Sequence, residues 1–402
     1  MKAKFFPALA GVVVWLTILS PAFGNHRTGA LALPELLAAG DFNQDGNLDL
    51  AVNVTGFDNV ALFLGDGKGG LTLSGHLASD TLTKGLDVAD IDGDRHLDLV
   101  GCTAWGYDVV VHLGDGLGGF GHRDQVYNGD GEPTRLILRD FNNDLKPDMA
   151  VNAPDEGLIL IYLNNTKGGF IVPAKEYEGL ARCAGLATGD FNGDGNLDLV
   201  TASIPHPEHA DGLAIVLLGD GTGGFTQNAR LNVGSDPTSI ATGDLNNDGK
   251  VDFVVAGAQP GNTKGNYFTS VLGDGSGNFT EQQTVDLGAG SLKGDISLGD
   301  FNEDGNLDVA YPVTGSQISH EPSHVVLIYF GDGAGNFTAG PVIEVGNEPH
   351  TVITPDFNKD GHLDLAVSNR TDGTVSLLLG DGTGNFVLST TVSVVCFGGV
   401  CD

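Results

Sequence analysis

The chain has 402 residues and a formal net charge of −33 at pH 7, because 52 Asp and Glu residues outnumber 19 Lys and Arg residues. A chain this acidic is a poor candidate for binding nucleic acid, since phosphate contacts need clusters of Lys and Arg. The 62 glycines, 2 methionines and 41% hydrophobic residues indicate a turn-rich β protein that can bury a core.

The first 24 residues have the pattern of a secretory signal peptide. Lys2 and Lys4 provide the positive end, residues 8–19 are apolar, and small residues precede a cleavage site before Asn25. The apolar run is short for a membrane span, so we expect a mature chain without one, located outside the cell or in the periplasm. The alternative is a retained membrane anchor.

One nine-residue loop pattern recurs seven times between about residue 33 and residue 390. Residues 190–198 read Asp-Phe-Asn-Gly-Asp-Gly-Asn-Leu-Asp, and the other copies begin at Asp41, Asp90, Asp140, Asp244, Asp300 and Asp356. By subtraction, successive first aspartates lie 49 to 56 residues apart. A period of this length indicates a repeat architecture that fills the chain.

Each repeat predicts four short strands, which we call A to D. In the fourth and fifth copies, residues 239–243 are a strand A before a loop, residues 251–256 a strand B after it, and residues 213–218 and 225–233 strands C and D. A Gly-Asp-Gly-x-Gly turn joins C to D and suits a tight hairpin. The turn recurs at Gly65, Gly114, Gly219, Gly273, Gly331 and Gly380, with a degenerate copy at residues 164–168.

Four antiparallel strands repeated seven times predict an all-β, seven-bladed β-propeller with a calcium loop between the first two strands of each blade. A lone blade cannot bury both of its faces, so neighbouring blades must stack. We expect one propeller domain over residues 25–402, with blades at about residues 33–80, 81–130, 131–179, 180–234, 235–290, 291–346 and 347–395. How the ring closes is left open at this stage.

The loops have the residue spacing of calcium sites. Oxygen-bearing side chains occupy positions 1, 3, 5 and 9, and position 7 offers its backbone carbonyl. No copy has an acid at position 12, which excludes an EF-hand. We predict up to seven structural Ca²⁺ ions; the alternative is that the loops are plain surface turns. The predicted ligands are Asp41, Asn43, Asp45, Asn47, Asp49, Asp90, Asp92, Asp94, His96, Asp98, Asp140, Asn142, Asp144, Lys146, Asp148, Asp190, Asn192, Asp194, Asn196, Asp198, Asp244, Asn246, Asp248, Lys250, Asp252, Asp300, Asn302, Asp304, Asn306, Asp308, Asp356, Asn358, Asp360, His362 and Asp364.

Two loops depart from the pattern at position 6, where the other five have glycine. Arg95 stands there in the second loop and Leu145 in the third. A side chain at a left-handed backbone position costs on the order of 1 kcal/mol. We therefore expect these two loops to bind calcium most weakly.

The Asp-Phe-Asn-x-Asp-Gly-x-x-Asp-Leu loops, joined to Leu-Gly-Asp-Gly-x-Gly-x-Phe turns, resemble the FG-GAP/VCBS repeats of seven-bladed propellers of the integrin α-chain type. The resemblance covers nearly the whole mature chain. Members of that family include adhesion ectodomains, sugar-binding propellers and polysaccharide-degrading or sugar-modifying enzymes. The resemblance therefore implies a fold strongly and a function only broadly.

A partner is expected on the face formed by the B–C and D–A connections, because these connections vary while the loop face repeats. The residues six positions before each first aspartate should surround the centre of that face: Glu35, Lys84, Thr134, Ala184, Thr238, Gly294 and His350. Tyr267 is expected in the B–C connection of blade five. The candidate ligand-binding residues are Lys84, Trp105, Tyr107, Arg135, Arg182, Lys293 and His350.

The first functional hypothesis is a secreted binding or adhesion module for a glycan or an extracellular protein at the cell surface. The alternative is an extracellular polysaccharide lyase or hydrolase that uses the centre of the propeller. Its acid–base or metal-binding residues would be His206, Glu208, His209, His320, Glu321 and His324, although solvated loop histidines explain the same pattern. The sequence has no Gly-x-Ser-x-Gly or other local catalytic signature, which favours binding over catalysis.

The four cysteines fall into two groups. Cys396 and Cys401 are close enough in sequence for a small disulfide at the C-terminus. Cys102 and Cys183 belong to different repeats, and we expect both to be buried free thiols.

Overall fold

The chain forms a ring of seven similar sheets. The computed structural model describes residues 32–55, 59–78, 82–103, 108–121, 125–128, 133–154, 157–172, 174–177, 182–204, 212–258, 266–288, 294–314 and 324–394. Within these residues, 28 strands make seven four-stranded antiparallel sheets. The predicted all-β, seven-bladed propeller is confirmed. The proposed signal segment and the pair Cys396 and Cys401 lie outside the described residues.

Every sheet consists of four consecutive strands, so blade one is β1-β2-β3-β4 and blade seven is β25-β26-β27-β28. The strands are β1 (Leu33–Gly40), β2 (Asp49–Thr55), β3 (Asn59–Gly65), β4 (Leu71–Ala78), β5 (Leu82–Ala89), β6 (Asp98–Thr103), β7 (Asp108–His112), β8 (Gln125–Asn128), β9 (Arg135–Arg139), β10 (Asp148–Ala153), β11 (Leu158–Tyr162), β12 (Lys175–Tyr177), β13 (Arg182–Gly189), β14 (Asp198–Ile204), β15 (Gly212–Gly219), β16 (Phe225–Gly234), β17 (Pro237–Gly243), β18 (Asp252–Ala258), β19 (Asn266–Gly273), β20 (Phe279–Gly288), β21 (Ser297–Gly299), β22 (Asp308–Thr314), β23 (His324–Gly331), β24 (Phe337–Glu344), β25 (Pro349–Ile353), β26 (Leu365–Asn369), β27 (Thr374–Gly380) and β28 (Phe386–Ser393).

The position of a strand within its blade explains its residue pattern. The second strand is covered on both faces by neighbouring blades, and in β6 and β10 every residue is buried. A strand covered on both faces reads as a continuous apolar run. The outermost strand has one wet face, so β16 keeps Phe225 and Val233 buried while most residues between them are exposed or half-buried.

The core lies between the blades. Seven clusters of buried apolar side chains are present among the described residues, one at each interface between neighbouring blades. Between blades two and three, for example, Val100 packs in one cluster with Val151. The cluster that joins blade seven to blade one contains Leu50 and Val52 with Ala366 and Leu377.

The ring closes through side chains, because each described sheet takes its strands from one blade alone. At the junction of blades seven and one, Arg370 Nε lies 2.9 Å from Glu35 Oε1. Ser368 Oγ donates a hydrogen bond to the Glu35 carbonyl at 2.9 Å, and His76 Nε2 lies 2.9 Å from the Val394 carbonyl oxygen. The question of closure is therefore answered by ion pairing, hydrogen bonding and the shared apolar cluster.

Cys102 and Cys183 are both buried free thiols. Burial raises the pKa of each thiol, that of Cys183 to about 11. Both therefore stay protonated at neutral pH, as structural cysteines do.

Candidate cation loops and central cavity

All seven loops share one backbone conformation. Position 6 has a positive φ whether it is Gly46 (86°), Arg95 (75°) or Leu145 (68°). Position 4 is also left-handed in every copy, for example Gln44 at 58° and Gly193 at 72°. The two loops that lack a glycine at position 6 therefore keep the common shape and bear its conformational cost.

Backbone N–H groups hold the side chains of positions 1, 3 and 5 over the loop. In the first loop, the N–H of Asp45 donates to Asp41 Oδ1 at 3.1 Å and to Asn43 Oδ1 at 2.9 Å. The N–H of Gly46 donates to Asp41 Oδ2 at 2.8 Å, and that of Asn47 donates to Asp45 Oδ1 at 2.8 Å. Each carboxylate oxygen has a further lone pair, so these groups keep acceptor capacity for a cation.

The position-9 aspartate has a second role that the sequence did not reveal. Asp49 is fully buried, and its two oxygens accept hydrogen bonds from the N–H groups of Phe42 and Gly65, both at 2.9 Å. This clamp ties the loop to the C–D turn of its own blade. The same pair of bonds recurs at Asp98, Asp148, Asp198, Asp252, Asp308 and Asp364.

Crowded negative charge makes these loops suitable for a cation. Burial, together with the charge of nearby loop carboxylates, raises the pKa of the position-9 carboxyl to about 6 in five loops. In the second loop, one oxygen each of Asp90, Asp92 and Asp98 lie within 4.8 Å of one another. An all-oxygen donor set of this kind fits a hard divalent cation, which would offset the repulsion.

The loops also join each blade to the next. The N–H of Gly118, in the C–D turn of blade two, donates to the carbonyl of Phe42 in the first loop at 3.0 Å. The rings of Phe42 and Phe120 meet edge to face with centroids 5.4 Å apart. Edge-to-face pairs also join Phe141 to Phe225 between blades three and four. Loops and turns therefore form a continuous hydrogen-bonded band on one face of the ring.

The opposite face has a cavity at its centre, which we call the central cavity. Its volume is about 320 Å³, near the lower end of the range for small-molecule sites. Six of the seven residues that the repeat register placed there line it. The lining residues are Glu35, Leu36, Lys84, Thr134, Arg135, Pro154, Cys183, Ala184, Thr238 and His350.

An ion pair spans the channel beneath this cavity. Arg135 Nη2 lies 2.8 Å from Asp295 Oδ1, and Asp295 Oδ2 accepts a hydrogen bond from Thr351 Oγ1 at 3.2 Å. Arg135 also lines a second cavity of about 400 Å³ together with Asp295, so the ion pair lies at the boundary of the two spaces. Burial lowers the pKa of His350 at the rim, so that this imidazole is neutral at pH 7.

The structure places three of the predicted ligand-binding residues, Lys84, Arg135 and His350, at the central cavity. Arg182 begins β13. His324 begins β23, where its carbonyl accepts a hydrogen bond from the N–H of Val345 at 3.0 Å. Outside the described residues lie Trp105, Tyr107, Lys293 and the other residues of the catalytic alternative, His206, Glu208, His209, His320 and Glu321.

The expectation for Tyr267 was wrong. It lies in strand β19, is 2% exposed, and donates its hydroxyl hydrogen to the carbonyl of Ser235 at 2.8 Å. It packs blade five and does not present a ring to the partner face. Tyr267 comes after the long B–C connection and belongs to the beginning of the next strand.

The repeat family follows from this geometry together with the sequence. A family model described as an FG-GAP-like repeat matches residues 38–101, 140–201 and 208–255. The chain is an FG-GAP-repeat β-propeller. The matched segments include five of the seven cation-type loops, and the remaining two have the same backbone and the same position-9 clamp.

Solved structures share the fold at low identity. BBS1N, in a crystal structure of its complex with ARL6DN soaked with mercury, is 10% identical, with a TM-score of 0.60 over 93% of this chain and 98% of that one. A protein from Lactobacillus plantarum is 12% identical, with a TM-score of 0.57 over 89% of this chain and 96% of that one. No curated protein matches the sequence significantly. The likeness extends to the propeller architecture alone.

Within the part of the chain that the structure describes, no helix has the length and apolarity that crossing a membrane requires.

Proposed function

We propose that this FG-GAP propeller is a secreted, calcium-stabilised binding module that presents its central cavity and the surrounding connections to a glycan or protein at the cell surface. The observation that carries the proposal is the division of labour between the two faces. Loops and turns on one face are tied together in every blade, whereas side chains from six blades converge on the cavity of the other face.

Calcium has a structural role in this proposal. Positions 1, 3, 5 and 9, with the position-7 carbonyl, would hold one ion in each loop. Extracellular sites of this kind bind calcium with dissociation constants of roughly 0.1 to 1 mM. At ten times the dissociation constant, each ion would stabilise the fold by about 1.4 kcal/mol. Seven ions together are therefore of the same order as the total stability of an ordinary domain.

The central cavity suits a polar ligand of modest size. Lys84 and Arg135 contribute cationic groups in a chain that is otherwise strongly acidic, and Thr134 and Thr238 contribute hydroxyls. Hydroxyl, carboxylate and amide groups of a glycan or peptide would all find partners there. Loops that differ among otherwise equal repeats would supply specificity around the rim.

The test is a retention assay with the mature chain in millimolar calcium and a panel of polysaccharides and extracellular-matrix proteins immobilised on beads. We expect retention on one class of ligand, and loss of retention in the Lys84→Ala variant. Lys68→Ala is the matched control, because Lys68 is an exposed lysine in the C–D turn of blade one on the other face.

The same incubation with soluble polysaccharides measures the release of new reducing or unsaturated ends. If the wild type releases new ends and a His324→Ala variant does not, the enzyme alternative would replace the proposal of a binding module. Retention that is equal in the Lys84→Ala and Lys68→Ala variants would remove the central cavity from the proposal.

A further inference from the structure

A side chain at position 4 of a loop reaches the next loop in the ring. We call such a side chain, together with the residue that it contacts near position 7 of the next loop, a latch. Latches are present at five of the seven junctions between described loops. They are Gln44 Nε2 to the Arg95 carbonyl (2.9 Å), Asn143 Nδ2 to Asn196 Oδ1 (2.8 Å), Asn247 Nδ2 to Asn306 Oδ1 (2.7 Å), Glu303 to His362 Nδ1, and Lys359 Nζ to Asn47 Oδ1 (2.6 Å).

The two remaining junctions have glycine at position 4. Gly93 occupies position 4 at the junction of loops two and three, and Gly193 occupies it at the junction of loops four and five, so neither junction has a latch side chain. The loop that follows each glycine has lysine at position 7, Lys146 and Lys250, whereas every other loop has Asn or His there. The two positions thus vary together within one chain, as residues in contact do.

The C–D turn provides the space for a latch. A Cβ at Gly67 would collide with Asn47 Oδ1, and a Cβ at Gly221 would collide with Asn196 Oδ1. At the unlatched third blade, the corresponding turn position is Thr166. Gly275 occupies the same position at the unlatched fifth blade, where a Cβ would collide with Lys250, so glycine there makes room for the position-7 side chain in general and also supplies the positive φ of the hairpin.

The latch side chains occupy strained backbone. Gln44, Glu303 and Lys359 have φ values of 58°, 56° and 62°. Each is less favourable than glycine at such a position, and Gly93 and Gly193 demonstrate that glycine satisfies the loop. In these three loops the latch contact offsets part of this cost.

We propose that the position-4 side chains are positioning residues that couple cation binding in one loop to cation binding in the next; this inference rests on the proposed calcium function. Four of the five latches hold the side chain of the position-7 residue, and the latch of Gln44 holds the adjacent position-6 carbonyl of Arg95. The N–H of position 7 donates to the position-5 carboxylate, as in Asn47 with Asp45, and its carbonyl belongs to the predicted ligand set. An ion that orders one loop thereby favours the ligand arrangement of its latched neighbour. Loops five, six, seven, one and two form one coupled arc, and loops three and four form a second.

The test is a calcium titration of the full mature chain against a chromophoric chelator, comparing wild type with Lys359→Gly. We expect the midpoint calcium concentration to rise by roughly threefold, which lies in the lower part of the range for losing one ordinary intramolecular hydrogen bond. Lys68→Gly is the matched control, since it removes the same charge from the same face. Loss of a nearby positive charge alone tightens cation binding, so the two variants are expected to shift the midpoint in opposite directions.

A gain of coupling provides the second arm. The double variant Gly193→Asn with Lys250→Asn copies the Asn143–Asn196 latch into the unlatched junction of loops four and five. We expect a steeper titration and a lower midpoint, whereas Gly193→Asn alone adds strain without a partner and leaves the slope unchanged.

The inference would be overturned if Lys359→Gly and Lys68→Gly gave the same calcium midpoint and only the unfolding temperature of calcium-free Lys359→Gly were lowered. The latch would then be a structural contact without a role in coupling. A wild-type chain that binds no calcium would overturn both this inference and the calcium part of the proposed function. Binding without coupling contradicts the latch alone.

Discussion

Leu145 provides the sharpest test of the loop conformation, because its side chain does little except occupy a left-handed position. It is 93% exposed and has φ 68°. Relieving the left-handed strain with Leu145→Gly recovers about 1–2 kcal/mol. Glycine loses about 0.5–1 kcal/mol through its greater freedom in the unfolded chain. The net expectation is that Leu145→Gly stabilises the protein by about 0.5–1 kcal/mol.

Leu117 is a matched control on the same face. It is 80% exposed, in the C–D turn of blade two, and its backbone is not left-handed. Leu117→Gly should therefore destabilise the protein by about 0.5–1 kcal/mol, the cost of glycine flexibility without any relief of strain. Both variants replace an exposed leucine with glycine, and they are expected to change the free energy of unfolding in opposite directions.

Equilibrium urea unfolding followed by circular dichroism, in the presence of a chelator, measures both changes without a contribution from bound ions. The midpoint of Leu145→Gly should exceed that of the wild type, and that of Leu117→Gly should fall below it. A lower midpoint for both variants would refute the strain argument, and with it the expectation that the second and third loops bind calcium most weakly.

Three further predictions concern the ions, the clamp and the central cavity. Chelation should lower the unfolding temperature, and scanning calorimetry across a calcium series should show a continuous rise; a temperature independent of calcium would contradict the structural role. Asp198→Asn should lower the free energy of unfolding by about 1–3 kcal/mol even in chelator, because an amide cannot accept hydrogen bonds from the N–H groups of both Phe191 and Gly219. The control is Asp194→Asn at an exposed position, which should lower it little when calcium is absent. Equal losses for the two variants in urea titrations would contradict the stabilising role of the clamp. The pKa of His350 is lowered by burial, so this group makes the unfolded chain bind more protons as pH falls, whereas the position-9 carboxyls, with pKa values raised to about 6, act in the opposite sense. The stability of the wild type relative to His350→Gln should therefore fall between pH 7.5 and 5.5, and a difference in unfolding free energy that is independent of pH would contradict the prediction.

Features set by local sequence were predictable. The loop spacing and the turn glycines define short segments whose geometry depends on a few residues, and the residue six positions before the first aspartate lines the central cavity in six of the seven copies. Counting back from Asp41 therefore placed Glu35 at the central cavity, and the same count placed His350 there.

Features set by the closed ring were not predictable in this way. Arg135 and Asp295 are 160 residues apart and meet only because blades three and six face each other across the channel. The clamp of Asp49 depends on the approach of Gly65 from the C–D turn, and the latch of Lys359 depends on the return of blade seven to blade one. Such contacts follow from the angle between blades, which no single repeat encodes.

The closure of the described ring through side chains has a consequence for how the chain can be connected. The junction of blades seven and one uses an apolar cluster and side-chain hydrogen bonds, as other junctions do, and a latch of the kind present at four others. A circular permutant, in which the present ends are linked and new ends are opened in another D–A connection, would regenerate the same seven sheets because each described sheet takes its four strands from one blade. Such a permutation changes which blade comes first along the polypeptide and leaves the cyclic order of the seven blades unchanged.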